Sequence, residues 1–154
     1  MPEQRVTDEQ RQVVLGRARG CCEYCKSQAR FAMQSFSTEH IIPRHAGGET
    51  ALDNLALACQ GCNNHKYTKT EARDPVSQSP VPLFHPRQQR WHDHFAWSDD
   101  FTLVVGLTPT GRATIQALNL NREELVNLRR VLYAAGEHPP LEEGTVIALE
   151  IIPE

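Results

Sequence analysis

Two pairs of cysteines, Cys22-x-x-Cys25 and Cys59-x-x-Cys62, carry the strongest chemical signal in the chain. A two-residue gap lets both thiolates of a pair face one ion, and two such pairs make a closed tetrahedral site for a structural zinc. A redox dithiol is disfavoured, because there are two pairs and neither lies in a thioredoxin-like pattern. Cys21 competes with Cys22, since a three-residue gap to Cys25 is also permitted; Cys22 is favoured because it repeats the spacing of the second pair. The 33 residues between the pairs exceed what a plain zinc ribbon requires. They hold Glu39-His40-Ile41-Ile42-Pro43, then His45, Gly47-Gly48 and Asp53-Asn54-Leu55, while Asn63, His65 and Lys66 follow the last cysteine.

In order and spacing these elements resemble the HNH endonuclease family, over about residues 20–70 and so under half of the chain. The residues that carry the resemblance are Glu39-His40-Ile-Ile-Pro43, Gly47-Gly48, Asn54-Leu55 and Cys59-x-x-Cys62-Asn63-x-His65-Lys66, with the first cysteine pair upstream. The resemblance implies a strand–strand–helix fold around one catalytic divalent ion, the ββα-metal site. It also implies Glu39 and Asn63 as ligands of that ion, His40 as general base, and Asn54 either orienting His40 or bracing the loop. The third signature position is Asn63 rather than the more familiar histidine. A carbonyl oxygen there suits Mg2+ or Mn2+ better than zinc or nickel. His65 is the rival ligand. By the same resemblance the products would carry 5′-phosphate and 3′-hydroxyl ends.

The chemistry of the residues agrees. Phosphodiester hydrolysis needs an in-line nucleophile and neutralised charge on the phosphate and the leaving oxygen. A neutral imidazole is a suitable base near pH 7, and a hard divalent cation supplies the charge. Neighbouring residues of a strand face opposite ways, so a bulge or a strand end is needed to aim Glu39 and His40 at one phosphate. Arg44, His65, Lys66 and Lys69 are candidate contacts to a nucleic-acid backbone, with a solvated surface as the plain reading of each. His45 reads as a solvated loop residue. Around Trp91 and Phe95, read as core, lie His85, Arg87, Arg90, His92 and His94, read as surface.

The elements that must position these groups can be read from local signals. Thr7 with Gln10 forms a capping box for a first helix that stops near Gly20. Phe36 to Ile42 alternates as a strand ended by Pro43, Leu55 to Ala58 is a short apolar strand, and Asn63 to about Thr70 is a short helix. Four prolines between Asp74 and Pro86 predict an irregular wrapping loop anchored by Leu83-Phe84. Ser98-Asp-Asp100 separates the two arms of a hairpin, Gly111 to Leu118 reads as helical, and Asn121 with Glu124 predicts the start of another helix. Leu125, Leu128 and Leu132 form its apolar stripe, Gly136 ends it, and Val146 to Ile152 reads as a last strand.

The fold class expected is therefore α+β. A zinc-stapled core with its N-terminal helix would occupy residues 1–73, and a loop, hairpin and helices packed on it residues 74–154. The 154 residues suffice for one domain, and the 40% hydrophobic content excludes a disordered chain. No apolar run reaches the ~20 residues of a membrane span, and the cysteine pattern fits a reducing compartment, so a cytoplasmic protein is expected. Net charge is −3, divided as +2 over residues 1–73 and −5 over 74–154, so the first part can face a polyanion. The function expected is metal-dependent hydrolysis of DNA, with RNA not excluded. The alternative is a zinc-dependent nucleic-acid-binding module without activity.

Overall fold

The computed structural model describes residues 5–141. Helix α1 (Asp8–Arg17) begins as expected, with Thr7 Oγ1 accepting from the Gln10 amide and Gln10 Oε1 accepting from the Thr7 amide. Strands β1 (Ser37–His40) and β2 (Leu55–Ala58) pair antiparallel, with Glu39 opposite Ala56 and His40 opposite Leu55. Helix α2 (Gln60–Lys66) follows β2 directly. It starts three residues earlier than the sequence suggests, because the Cys59 sulfur acts as its N-cap and accepts from the Cys62 amide. It stops at Tyr67, whose φ of 50° and ψ of −118° break the helical path.

The proline-rich segment is not wholly irregular, a correction to the sequence reading. Strands β3 (Glu71–Arg73) and β4 (Pro80–Pro82) form a hairpin. The Leu83 amide donates to the Thr70 carbonyl and the Asp74 amide to the Ser79 carbonyl, at 3.0 and 2.9 Å. Hydrogen bonds to β3 thus come from residues at odd positions of the second arm. Pro80 and Pro82 occupy the alternate positions, where a missing N–H breaks no ladder bond. Leu83 and Phe84 are buried beyond the hairpin, the anchor expected of them.

A single turn, α3 (Trp91–His94), leads into the hairpin of β5 (Phe95–Trp97) and β6 (Val104–Gly106), then α4 (Pro109–Leu118) and α5 (Glu123–Ala134). Asn121 does not cap α5. Its Oδ1 accepts from the Val104 amide at 2.7 Å and its Nδ2 donates to the Val104 carbonyl at 2.9 Å, tying the α4–α5 connection to β6. Arg122 holds the N-cap position without a side-chain cap bond. The strand expected over 146–152 lies outside the described residues. One apolar cluster joins Tyr24, Ile41 and Ala56 to Phe84, Trp91, Phe95, Leu118 and Leu125, so residues before and after 73 share a core. Among the described residues no helix is long and apolar enough to cross a membrane.

Candidate active site and metal centre

Cys22, Cys25, Cys59 and Cys62 converge as the sequence predicts, all buried, with their sulfurs within 4.8 Å of one another. Tetrahedral zinc with ~2.3 Å bonds requires sulfurs about 3.8 Å apart, and Cys25 and Cys59 stand 3.7 Å apart. In each pair the second cysteine's amide points at the first one's sulfur, at 3.5 Å for Cys25 to Cys22 and 3.4 Å for Cys62 to Cys59. Those N–H groups favour thiolates over thiols, so the four residues fit a zinc ion. Cys21 stands outside the group and its sulfur contacts the Arg19 carbonyl instead. This resolves the choice between Cys21 and Cys22.

Arg122 lies against the same sulfurs, which local sequence signals do not reveal. Its Nη2 is 3.4 Å from Cys59 Sγ and its Nη1 3.6 Å from Cys62 Sγ. Burial alone would lower its pKa, but the Cys62 thiolate beside it holds it above the ordinary arginine value.

The second site is a cleft of about 370 Å³, lined by Glu39, His40, Arg44, Asn63 and Tyr67 among others. All four residues of β1, from Ser37 to His40, border it, with Glu39 and His40 at the end of the strand. His40 is half-buried, and its Nε2 lies 2.8 Å from Thr50 Oγ1. Burial, and then the Arg44 charge, lower its pKa and so favour the neutral imidazole. With Nε2 engaged by Thr50, Nδ1 is the nitrogen left to take a proton. Thr50 is a partner that the sequence did not reveal.

The Asn54 side chain hydrogen-bonds to the backbone on either side of the loop. Its Oδ1 accepts from the Ile42 amide at 2.9 Å, and its Nδ2 donates to the Ile42 and Glu49 carbonyls at 3.0 and 2.9 Å. It therefore straps the 43–54 loop, which carries Thr50, to the end of β1. Gly48 permits this close approach, since a Cβ there would stand 1.8 Å from the Ile42 carbonyl oxygen.

Glu39 is buried, with the Tyr24 hydroxyl on Oε1 and the Lys66 ammonium 3.2 Å from Oε2. Burial raises its carboxyl pKa, and the Lys66 charge pulls it back. Lys66 also donates to the Ile41 carbonyl at 2.8 Å and is only 1% exposed. It is thus an internal counter-ion, and the expectation that it meets nucleic acid is corrected on that ground. Asn63 lines the cleft, whereas His65 is exposed and its carbonyl accepts from Lys69 at 2.8 Å. Among the described residues the four cysteines are the one group of three or more Cys, His, Asp or Glu able to share an ion. A catalytic cation on Glu39 and Asn63 would fill its other positions with water and phosphate oxygens, as Mg2+ commonly does. The Glu39 oxygens, each with a second lone pair, fit that role.

Of the cluster around Trp91, Trp91 and Phe95 are core, as expected. Arg90 and His92 are exposed, as expected, and line a second cleft of about 340 Å³ with Arg17, Arg19 and Lys26, whereas Arg87, expected at the surface, is largely covered and pairs with Glu23.

Residues 22–69 match the family model described as HNH endonuclease, a segment that spans both cysteine pairs, both strands and α2. No curated protein and no solved structure matches the chain.

Proposed function

We propose that the HNH endonuclease domain formed by residues 22–69 makes this chain a metal-dependent nuclease that hydrolyses phosphodiester bonds in DNA. The carrying observation is that Glu39, His40 and Asn63 open onto one cleft while His40 is held through Nε2 by Thr50.

In this reading His40 Nδ1 takes a proton from water as the water oxygen attacks phosphorus. Nε2 must then carry its own proton and donate it to Thr50, which fixes the tautomer. The bond from phosphorus to the 3′ oxygen breaks, that oxygen takes a proton from solvent, and 5′-phosphate and 3′-hydroxyl ends remain. A Mg2+ or Mn2+ ion held by Glu39 and Asn63 would supply positive charge for the phosphate and the leaving oxygen. Asn54 positions the loop, and Arg44, which lines the same cleft, meets the flanking backbone. His65, exposed on the last turn of α2, and Lys69, exposed just beyond it, extend that contact. The four-cysteine zinc is structural.

The test is relaxation of supercoiled plasmid by wild type and His40→Ala in magnesium, manganese or chelator, with zinc content measured in parallel. Metal-dependent nicking that disappears in the variant at unchanged zinc content is the expected result. Equal nicking by both proteins would remove His40 as the base. DNA binding without cleavage by either would leave a binding module.

A further inference from the structure

We propose that Arg122 is a working part of the zinc centre: its guanidinium caps the thiolates of Cys59 and Cys62, so that metal retention depends on residues well outside the 22–69 segment. The inference stands whether or not the cleft cuts DNA, because it concerns the metal centre alone.

Zinc with four thiolates carries a net charge of −2. Cys22, Cys25 and Cys62 are at most 1% exposed, so that charge is out of water. Buried charge is costly without a partner. Arg122 supplies one positive charge, and its side chain is itself only 11% exposed. Its Nη2 lies 3.4 Å from Cys59 Sγ and 3.8 Å from Cys62 Sγ, with Nη1 3.6 Å from Cys62 Sγ. The same Nη1 also donates to the carbonyls of Leu118 and Asn119 at 3.3 and 3.2 Å, while Nε on the far side lies 3.9 Å from the carboxylate of the largely exposed Glu124. The end of α4 therefore aims the guanidinium at the second cysteine pair. Arg129, a further cation near the centre, spends its donors on the carbonyls of Thr102 and Leu120 and on Asn121.

Gly61 makes the approach possible. A Cβ at that position would lie 2.4 Å from Arg122 Nη2 and 2.8 Å from its Cζ. Charge-assisted N–H···S contacts draw electron density from the sulfurs. They should thereby strengthen metal retention against competing chelators, as partners just beyond metal ligands generally do.

The experiment follows zinc transfer from full-length protein to a chromogenic chelator. It also records absorption of the cobalt-substituted protein, whose sulfur-to-cobalt band reads the charge on the thiolates. Arg122→Met should release zinc about 10–100-fold faster and shift that band. Arg122→Lys, which keeps the charge and loses the fork, should fall between. Gly61→Ala should also speed release, although alanine is the better helix former and would otherwise strengthen α2. It keeps the test decisive if Arg122→Met does not fold. Wild-type release and an unshifted band in Arg122→Met, or in Gly61→Ala where the former does not fold, would overturn the proposal. Faster release with an unshifted band would reduce Arg122 to a packing role and overturn it too.

Discussion

Lys66→Met is the substitution that best separates an internal counter-ion from a nucleic-acid contact. Methionine keeps the aliphatic stem and removes the ammonium, which in the native protein bonds Glu39 Oε2 at 3.2 Å and the Ile41 carbonyl at 2.8 Å. Both side chains are almost wholly buried, at 2% and 5% exposure. Removing one member of such a pair leaves an uncompensated charge, a loss of about 3–5 kcal/mol. For a chain of this length that is a fall in melting temperature of roughly 6–20 °C. Adding Glu39→Gln should restore much of it, since neither charge then remains. The assay is thermal unfolding of zinc-loaded protein in magnesium-free buffer, for the two single variants and the double. Millimolar magnesium should stabilise Lys66→Met more than wild type, because the ion would replace the missing cation at Glu39. A loss below about 1 kcal/mol together with weaker DNA binding would refute the reasoning and return Lys66 to the surface role.

Two further outcomes are expected. Asp74 is fully buried and accepts the Arg112 fork at 2.9 and 3.0 Å, a pairing that holds its carboxyl well below the usual carboxylate range. Its folded value is depressed, so its contribution is complete above about pH 4, the ordinary aspartate value, and is lost as pH falls through the folded value. Asp74→Asn should therefore unfold more easily at neutral pH yet lose less stability on acidification; parallel acid-unfolding curves for the two proteins would argue against the pairing. Asn63→Ala should raise the magnesium concentration needed for half-maximal cleavage by about tenfold or more. A larger effect from His65→Ala would move the ligand role to that residue.

What the sequence revealed is what depends on near neighbours. The cysteine pairs were legible because the two ligands within each pair sit three residues apart, and the Thr7 cap because both its bonds close within one helical turn. Strand β2 showed as a short apolar run, and β1 as part of the alternating segment from Phe36 to Ile42 that Pro43 ends. What stayed hidden depends on the rest of the fold. Prolines at 80 and 82 predict irregular chain unless the hydrogen-bonding side of β4 is known, and only the pairing with β3 supplies it. Asn121 has the residue type and spacing of a helix cap, but Val104 of β6 offers it two bonds and Arg129 of α5 a third. Lys66 reads as a surface cation on a short helix until its bonds to the Glu39 carboxylate and the Ile41 carbonyl are seen. Nothing near Thr50 or Arg122 in the sequence marks what they touch, 10 and 60 or more residues away.

Helix α2 makes the two sites interdependent. It has seven residues, far short of the ~12–15 at which an isolated helix becomes even marginally stable. Its N-cap is a cysteine sulfur, and Cys62 ties its first turn to the metal centre. The next residue, Asn63, faces the cleft, and one turn further on Lys66 secures Glu39. Three successive duties thus fall on a helix that local propensity cannot hold in place. A zinc ion on the four sulfurs would fix its start, and Arg122 would brace that start from the far side. Loss of the metal would release Asn63 and Lys66 together, and the cleft would lose one proposed ligand and the counter-ion of the other. Zinc binding is therefore a condition of the proposed catalysis although the ion lies outside the cleft, and chelators that strip zinc should abolish cleavage even with magnesium in excess.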